Sequence, residues 1–372
     1  MKPSKSLIIC CYTLTLLVSC ASTVQDDGED YFNILQNGKL GFIDKTGKTV
    51  ISPQFDSGVK EDGKIFSEGL AAVRVGDKWG YIDKKGKFVI PPKFKQSSPP
   101  SLFHEGLAQV ETREGALGFI DKNGEFVKSL KFIEEGTQFS EGLARVSKGD
   151  KFGYVDKTGR FVIEARFAKA EHFKEGLAMV KLEEAFGSKY GFIDKTGKMA
   201  IAPQFDDAKS FREGLAVVEL ENADETKDGF IKSKDGFIDK TGKIVIAPQF
   251  DHAYPFMEGL AKVVVGNKVG FINSTGNLVI ALQFDLDTTY IAENKGNFGF
   301  SDGLAVVDVK TSSGHKSGYI DKTGKMIIAP QYDYGSDFHS GLAQVINGEE
   351  ASKQKMCYID KTGKIVWEQK AN

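Results

Sequence analysis

"GFIDKTGKTVISPQFD" occupies Gly41–Asp56, and "GYIDKTGKMIIAPQYD" occupies Gly318–Asp333. A chain of 372 residues that writes one phrase twice must be searched for repetition before anything else. The core G-[FY]-[IV]-[DN] begins at Gly41, Gly80, Gly118, Gly153, Gly191, Gly236, Gly270 and Gly318, and a ninth copy puts Cys357 in the glycine slot. From the last residue of one core to the next, the steps are 39, 38, 35, 38, 45, 34, 48 and 39 residues. "EGLA" recurs from Glu68 to Glu258 and degrades to "DGLA" at Asp302 and "SGLA" at Ser340. "PQF" or a variant sits at Pro53, Pro92, Pro203, Pro248 and Pro330.

Each phrase has a physical reading. After "EG", residues such as Leu260, Ala261, Lys262 and Val263 alternate with period two, as in a half-buried strand. A polar hairpin leads to the second strand, "WGYID" in the second unit. "DKTGK" is then a turn in which Asp accepts from nearby backbone N–H groups and Gly supplies a left-handed residue. The structural turn residues are therefore Asp44 and Gly47, Asp83 and Gly86, Asp194 and Gly197, Asp239 and Gly242, and Asp321 and Gly324. The third strand has successive apolar residues, such as Ile244, Val245 and Ile246, which predict burial on both faces. Proline is expected to end it. A return loop with two Phe, such as Phe205 and Phe211, plugs the gap to the next unit.

The fold expected is all-β: about nine three-stranded antiparallel meanders that bury a core by stacking. The array starts with a strand at Tyr31–Gln36 and stops after a third strand at Trp367. No unit is split between the termini to close a ring, which favours an open solenoid or superhelix. The alternative is a β-propeller-like ring, whose blades have a similar length.

Length variation is concentrated in one place. From the Ala of "GLA" to the next core the spacing is 9, 10, 9, 13, 20, 9, 13 and 14 residues. From the "ID" acid to the Gly of "EG" it is 20 residues in the units starting from Asp156, Asp194, Asp239 and Asp321. The first hairpin varies, and the rest is held. Long polar hairpins at Leu220–Lys234, Lys310–Ser317 and Asn347–Lys355 should share one face and supply partner contacts. Candidate binding positions there are 223 and 228, at the two ends of the acidic stretch Ala223–Asp228, and His315, with Trp79 as an aromatic candidate.

The N-terminus reads as targeting. Lys2 and Lys5 precede an uncharged run, Leu7–Val18, which is too short to span a bilayer as a helix. Leu17, Val18, Ser19 and Cys20 resemble the bacterial lipoprotein cleavage box, which implies a signal peptide over 1–19 and lipid on Cys20. Residues 20–30 are then a polar tether and 31–372 the repeat array. Cys10 and Cys11 leave with the signal, so Cys357 has no disulfide partner. Removing 1–19 leaves 47 basic against 51 acidic residues, which does not suit a nucleic-acid footprint.

"DKWGYIDKKGKFVIPPKF" (Asp77–Phe94) resembles the WG-repeat motif of bacterial tandem-repeat proteins. The resemblance extends over residues 31–372. It implies a repeat scaffold without catalytic residues. Trp itself occurs in that slot once, at Trp79; Asp235, Ser317 and Met356 are among its replacements.

The chemistry-bearing residues do not converge. The Asp column is explained by turn capping, since Asn273 stands in the same slot. The loop at Asp121 has Phe132 where a calcium loop needs a bidentate Glu. No HExxH or G-x-S-x-G occurs. The expectation is a non-enzymatic scaffold with no metal or cofactor, anchored through lipid as a periplasmic or cell-surface lipoprotein. Its partner would be an envelope protein, or alternatively a glycan or cell-wall polymer.

Overall fold

The computed structural model describes residues 30–57, 66–95, 99–111, 115, 117–127, 138–182, 189–225, 231–286, 299–312, 314–348 and 355–369. Every regular element among them is a β-strand. Unit 6 shows the pattern. Its first strand is Leu215–Glu225, its second Ile231–Asp239 and its third Ile244–Phe250. A short strand from the return loop, Asp207–Ala208, pairs with the open side of the first strand. The order short, first, second, third recurs in units 5 and 9 and within the longer sheet of units 7 and 8.

Proline does not end the third strand, as its missing N–H had suggested. The strand runs through Pro248 and shifts register there: Phe237 pairs with Ile246, and Asp235 with Phe250. The extra residues fold over Gly236. A Cβ on Gly236 would lie 2.7 Å from the Ile246 carbonyl oxygen and 2.8 Å from the Pro248 nitrogen. The core glycine thus answers to a β-bulge on the neighbouring strand, which needs its empty side.

Burial of the third strand on both faces is also corrected. Ile246 is 3% exposed, but Ile244 and Val245 are 44% and 42% exposed. This strand lies at the edge of its sheet. One face packs inward through Ile246 and Phe250, and no neighbouring unit covers the other.

Units stack through aromatic pairs. The return-loop Phe meets the core aromatic of the preceding unit edge-on: Tyr154–Phe173, Phe192–Phe211 and Tyr319–Phe338 are each 4.8 Å apart between ring centroids. Such a pair contributes roughly 0.5–1.5 kcal/mol beyond area burial. Core tyrosines also donate across the junction, Tyr154 to the Glu171 carbonyl at 2.7 Å and Tyr319 to the Ser336 carbonyl at 2.9 Å.

The last unit meets the first in the same way. Tyr358 donates to the Asn33 carbonyl at 2.9 Å, and its ring lies 5.4 Å from Phe32. Phe32, Ile34, Ile43, Leu342, Met356 and Tyr358 form one buried cluster. Of the two arrangements open to the sequence, the ring is therefore the one adopted. A split unit is not needed, because Phe32 supplies the aromatic plug that a return loop supplies elsewhere. No single sheet closes into a barrel; closure is by packing between sheets.

Candidate binding surface

The meander gives the ring two faces. The "EG" and "DKTGK" turns lie on one, here the turn face; the first hairpins lie on the other, the hairpin face. Both are laced between units by acids.

On the turn face, Glu-Gly forms a tight two-residue turn. Around Glu175 and Gly176, Lys174 and Leu177 exchange backbone hydrogen bonds of 2.9 and 3.2 Å. Glu175 has φ 53° and Gly176 φ 88°. A left-handed Glu is uncommon, since Asn or Asp usually takes this place. The longer side chain has a use here. Its carboxylate accepts the Gly214 N–H at 3.0 Å and pairs with Lys240 at 3.0 Å, both across the junction to unit 6. Glu68, Glu105 and Glu141 bridge forward likewise, to Lys122, Lys157 and Lys195.

The turn acids sit beside these bridges. Asp239 Oδ1 accepts the Thr241 N–H at 2.9 Å, its hydroxyl at 2.6 Å and the Lys243 N–H at 3.1 Å. The Thr241 hydroxyl and these N–H groups hold its carboxyl below the usual range. Asn273 accepts the same three donors, from Thr275 and Asn277. Asp44, Asp194 and Asp321 repeat the pattern with Thr46, Thr196 and Thr323, while Asp83 takes the N–H groups of Lys85 and Lys87. Gly242 has φ 84°, and Gly47, Gly86, Gly197 and Gly324 lie between 77° and 85°. These groups are spent on backbone donors, and among the described residues no cluster of His, Cys, Asp or Glu is placed to hold a metal.

On the hairpin face, the acid after "QF" joins the units. Asp251 pairs with Lys234 of its own unit at 2.6 Å and accepts the Gly266 N–H of the next hairpin at 2.6 Å. Asp56 does the same with Lys39 and Gly76, and Asp285 with Lys268 and Lys310. The ammonium group first, and the N–H second, hold each carboxyl below its ordinary range.

The long hairpins continue as paired strands. In unit 6, Leu220 pairs with Lys234 and Glu225 with Ile231; in unit 8, pairing runs to Thr311 and Gly314. Position 223, an alanine, lies in the extended ribbon of unit 6. Ala223 brings no charge of its own, and the acids of that strand are its neighbours Glu221, Asp224 and Glu225. His315 is exposed near the tip of unit 8. Asp228 and Cys20 lie outside the described residues. Trp79 does not belong to a binding surface: it is 1% exposed, in a cluster with Leu70, Tyr81 and Phe94. Its slot faces the core, which is why aliphatic residues replace it. The bridging roles of the "EG" glutamates and the "QFD" aspartates were missed in the sequence. The signal was the constant 20-residue spacing from the "ID" acid to the "EG" glycine, which keeps two turns side by side.

Eight segments match the WG containing repeat family, at residues 41–79, 79–114, 118–152, 152–184, 190–222, 236–268, 270–286 and 318–349. No curated protein is similar by sequence. Among solved structures, dihydro-heme d1 dehydrogenase NirN in complex with DHE is similar at 13% identity and TM-score 0.45, over 85% of this chain and 75% of that one. Kluyveromyces lactis Hsv2 is similar at 11% identity and TM-score 0.41, over 82% and 95%. With the family match spread over most of the repeat array, this chain belongs to the WG containing repeat family.

Proposed function

We propose that this protein is a non-enzymatic repeat scaffold, anchored to a bacterial envelope membrane by lipid on Cys20, that binds a protein partner through its hairpin face. One observation carries the reading. The bridges between units have one geometry from junction to junction, while the hairpin between the first two strands varies from 9 to 20 residues between fixed markers. A packed ring constrains the former and leaves the latter open to selection by a partner. The family supports a repeat-based binding scaffold. The segment Leu17–Cys20 supports the anchor and a periplasmic or cell-surface location. Burial of Trp79 removes the strongest aromatic candidate for stacking on a sugar, which favours a protein partner over a glycan.

The test shortens the ribbon. Replacing Asn222–Lys232 with a Gly-Asp-Lys turn like that at Gly76 should leave melting unchanged and weaken crosslinking to the envelope partner. Unfolding of this variant, or unchanged crosslinking when all three long hairpins are shortened, overturns the reading. For the anchor, Cys20→Ala should release the chain from membranes; a variant that stays membrane-bound and still incorporates fatty acid refutes it.

A further inference from the structure

Asp30 is the first described residue, and its contacts show from which side the upstream chain arrives. Its carboxylate takes the Ser340 hydroxyl and lies 3.1 Å from His339 Nε2. Both belong to the "EG"-type turn of unit 9. Two residues on, Phe32 pairs with Ile43 at the end of a second strand, next to the turn at Asp44. The chain therefore enters the ring on the turn face. Ten residues separate Cys20 from Asp30. Such a segment spans about 17 Å as a flexible coil and about 35 Å fully extended. The strands, five to eight residues long in most units, make the ring about 20 Å deep. Lipid on Cys20 then sits close to the turn face, whereas reaching the hairpin face would stretch the segment over the ring's side.

The chemistry of that rim is independent of the tether. Ten large apolar side chains are markedly exposed, and eight of them occupy the first two positions of third strands, directly after the turns. Ile244 and Val245, Leu278 and Val279, Ile327 and Ile365 form a continuous arc through units 6 to 9, which ends at the junction where Asp30 enters. Exposed Lys243, Lys325 and Lys364 immediately precede this arc in units 6, 8 and 9. Aliphatic groups beside flexible ammonium groups suit the boundary between acyl chains and phosphate headgroups.

We propose that this lysine–aliphatic rim docks on the lipid surface, so that the turn face lies against the bilayer and the hairpin face points into the aqueous compartment. The partner of the hairpin face is then a water-borne macromolecule. The proposal rests on attachment at Cys20, but its test separates the two. Residues 20–372 are coupled through the Cys20 thiol to maleimide-bearing lipid in phosphatidylcholine–phosphatidylglycerol vesicles; Cys357 is buried and should not compete. Amine acetylation of each lysine is compared with the uncoupled chain. Lys243, Lys325 and Lys364 should slow at least threefold, while Lys39, Lys78 and Lys268 on the hairpin face keep their rates. Equal slowing on both faces, or stronger slowing at the hairpins, overturns the proposal. The exposed triple change Ile244→Ser, Leu278→Ser and Ile365→Ser should retain the melting curve and lose most of the protection. Full protection in that variant also overturns the proposal, because the rim would not be what holds the surface. Failure of cells to acylate Cys20 would refute the anchor alone and leave this result standing.

Discussion

Units 6 and 9 build the same meander from different residues. Unit 6 has Gly236 in the core slot, and unit 9 has Cys357, which is 2% exposed. The difference lies on the next strand. In unit 6 the third strand bulges over the glycine. In unit 9 it is Ile365–Glu368, which lacks the "PQF" segment, and Cys357 pairs directly with Glu368. A side chain is admitted where the bulge is absent. Unit 9 also faces unit 1, which has no return loop to offer, and Phe32 fills the place that Phe256 fills for unit 6. Each residue of the repeat is thus set by its neighbour across a strand or a junction.

The largest effect should come from the junctions. Phe256 and Phe32 are 1% and 7% exposed. Truncating either to Ala should cost about 3–5 kcal/mol. The two should differ in where the ring loosens. Phe32→Ala should accelerate amide exchange in Phe32–Gln36 and Lys355–Asp360, at the closing junction. Phe256→Ala should do so between units 6 and 7. Unchanged exchange at the closing junction in Phe32→Ala would break the claim that this contact closes the ring.

The slot exchange sharpens the comparison directly. Gly236→Cys forces its Cβ against the backbone of Ile246 and Pro248 and should destabilise by about 3 kcal/mol or more, as overpacking against atoms that cannot turn aside. Cys357→Gly should cost about 1 kcal/mol, from lost packing and added chain freedom. Chemical denaturation of both variants decides it. Equal losses would mean that the bulge is not what selects glycine.

Much of this architecture was legible. The period, the three strands and the turns follow from local chemistry: Asp accepting from N–H groups two and four residues on, Gly at positive φ, alternation along Leu260–Val263. What was not legible depends on partners far away in the chain. Nothing in "IVIAPQF" marks Pro248 as the centre of a bulge rather than an end, because the reason is the missing Cβ of Gly236. Nothing in "KEG" marks Glu175 as a bridge, because its partners Gly214 and Lys240 lie 39 and 65 residues on. Three apolar residues at Ile244–Ile246 look the same whether a neighbouring unit covers the outer face or leaves it bare. Ring closure was hidden for a like reason: Phe32 becomes a plug only when Tyr358 is beside it. The partner-facing hairpins were found by length alone, and the aromatic candidate Trp79 failed because the repeat aims that slot inward.

A smaller effect separates the two recurring letters of one turn within unit 6. Gly242 holds φ 84°, and a Cβ there would also come within 2.9 Å of Ile201 Cγ2 in unit 5. Gly242→Ala should cost about 1–2 kcal/mol from left-handed strain and this contact. Asp239→Asn should stay within about 0.5 kcal/mol, since Asn273 accepts the same three bonds in unit 7. Melting of the two single variants is the measurement. A larger loss from Asp239→Asn than from Gly242→Ala would show that the acid does more than cap its turn.

The smallest effect concerns the slot that holds Trp79 in unit 2. Unit 9 fills it with Met356, but unit 6 buries Asp235, which is 8% exposed. Burial raises the Asp235 carboxyl above its ordinary value; the Ala253 N–H, donated at 2.6 Å, and the charge of Lys209 only partly offset this. A carboxyl whose folded value is raised holds its proton more tightly folded than unfolded. Its contribution to stability is therefore greatest below the unfolded value of about 3.9 and falls as pH rises through the raised folded value. Asparagine keeps an oxygen for the Ala253 N–H and removes the charge. Asp235→Asn should accordingly be more stable than the parent at pH 7, by up to about 1 kcal/mol, and this advantage should shrink towards pH 4. Carboxylates elsewhere lose their stabilising charge on acidification in both proteins, so they cancel in the difference. Thermal melts of the pair between pH 4 and 8 give the result. An advantage that grows as the pH falls would mean that Asp235 is stabilised as an anion, and that unit 6 uses the slot for a buried charge rather than tolerating one.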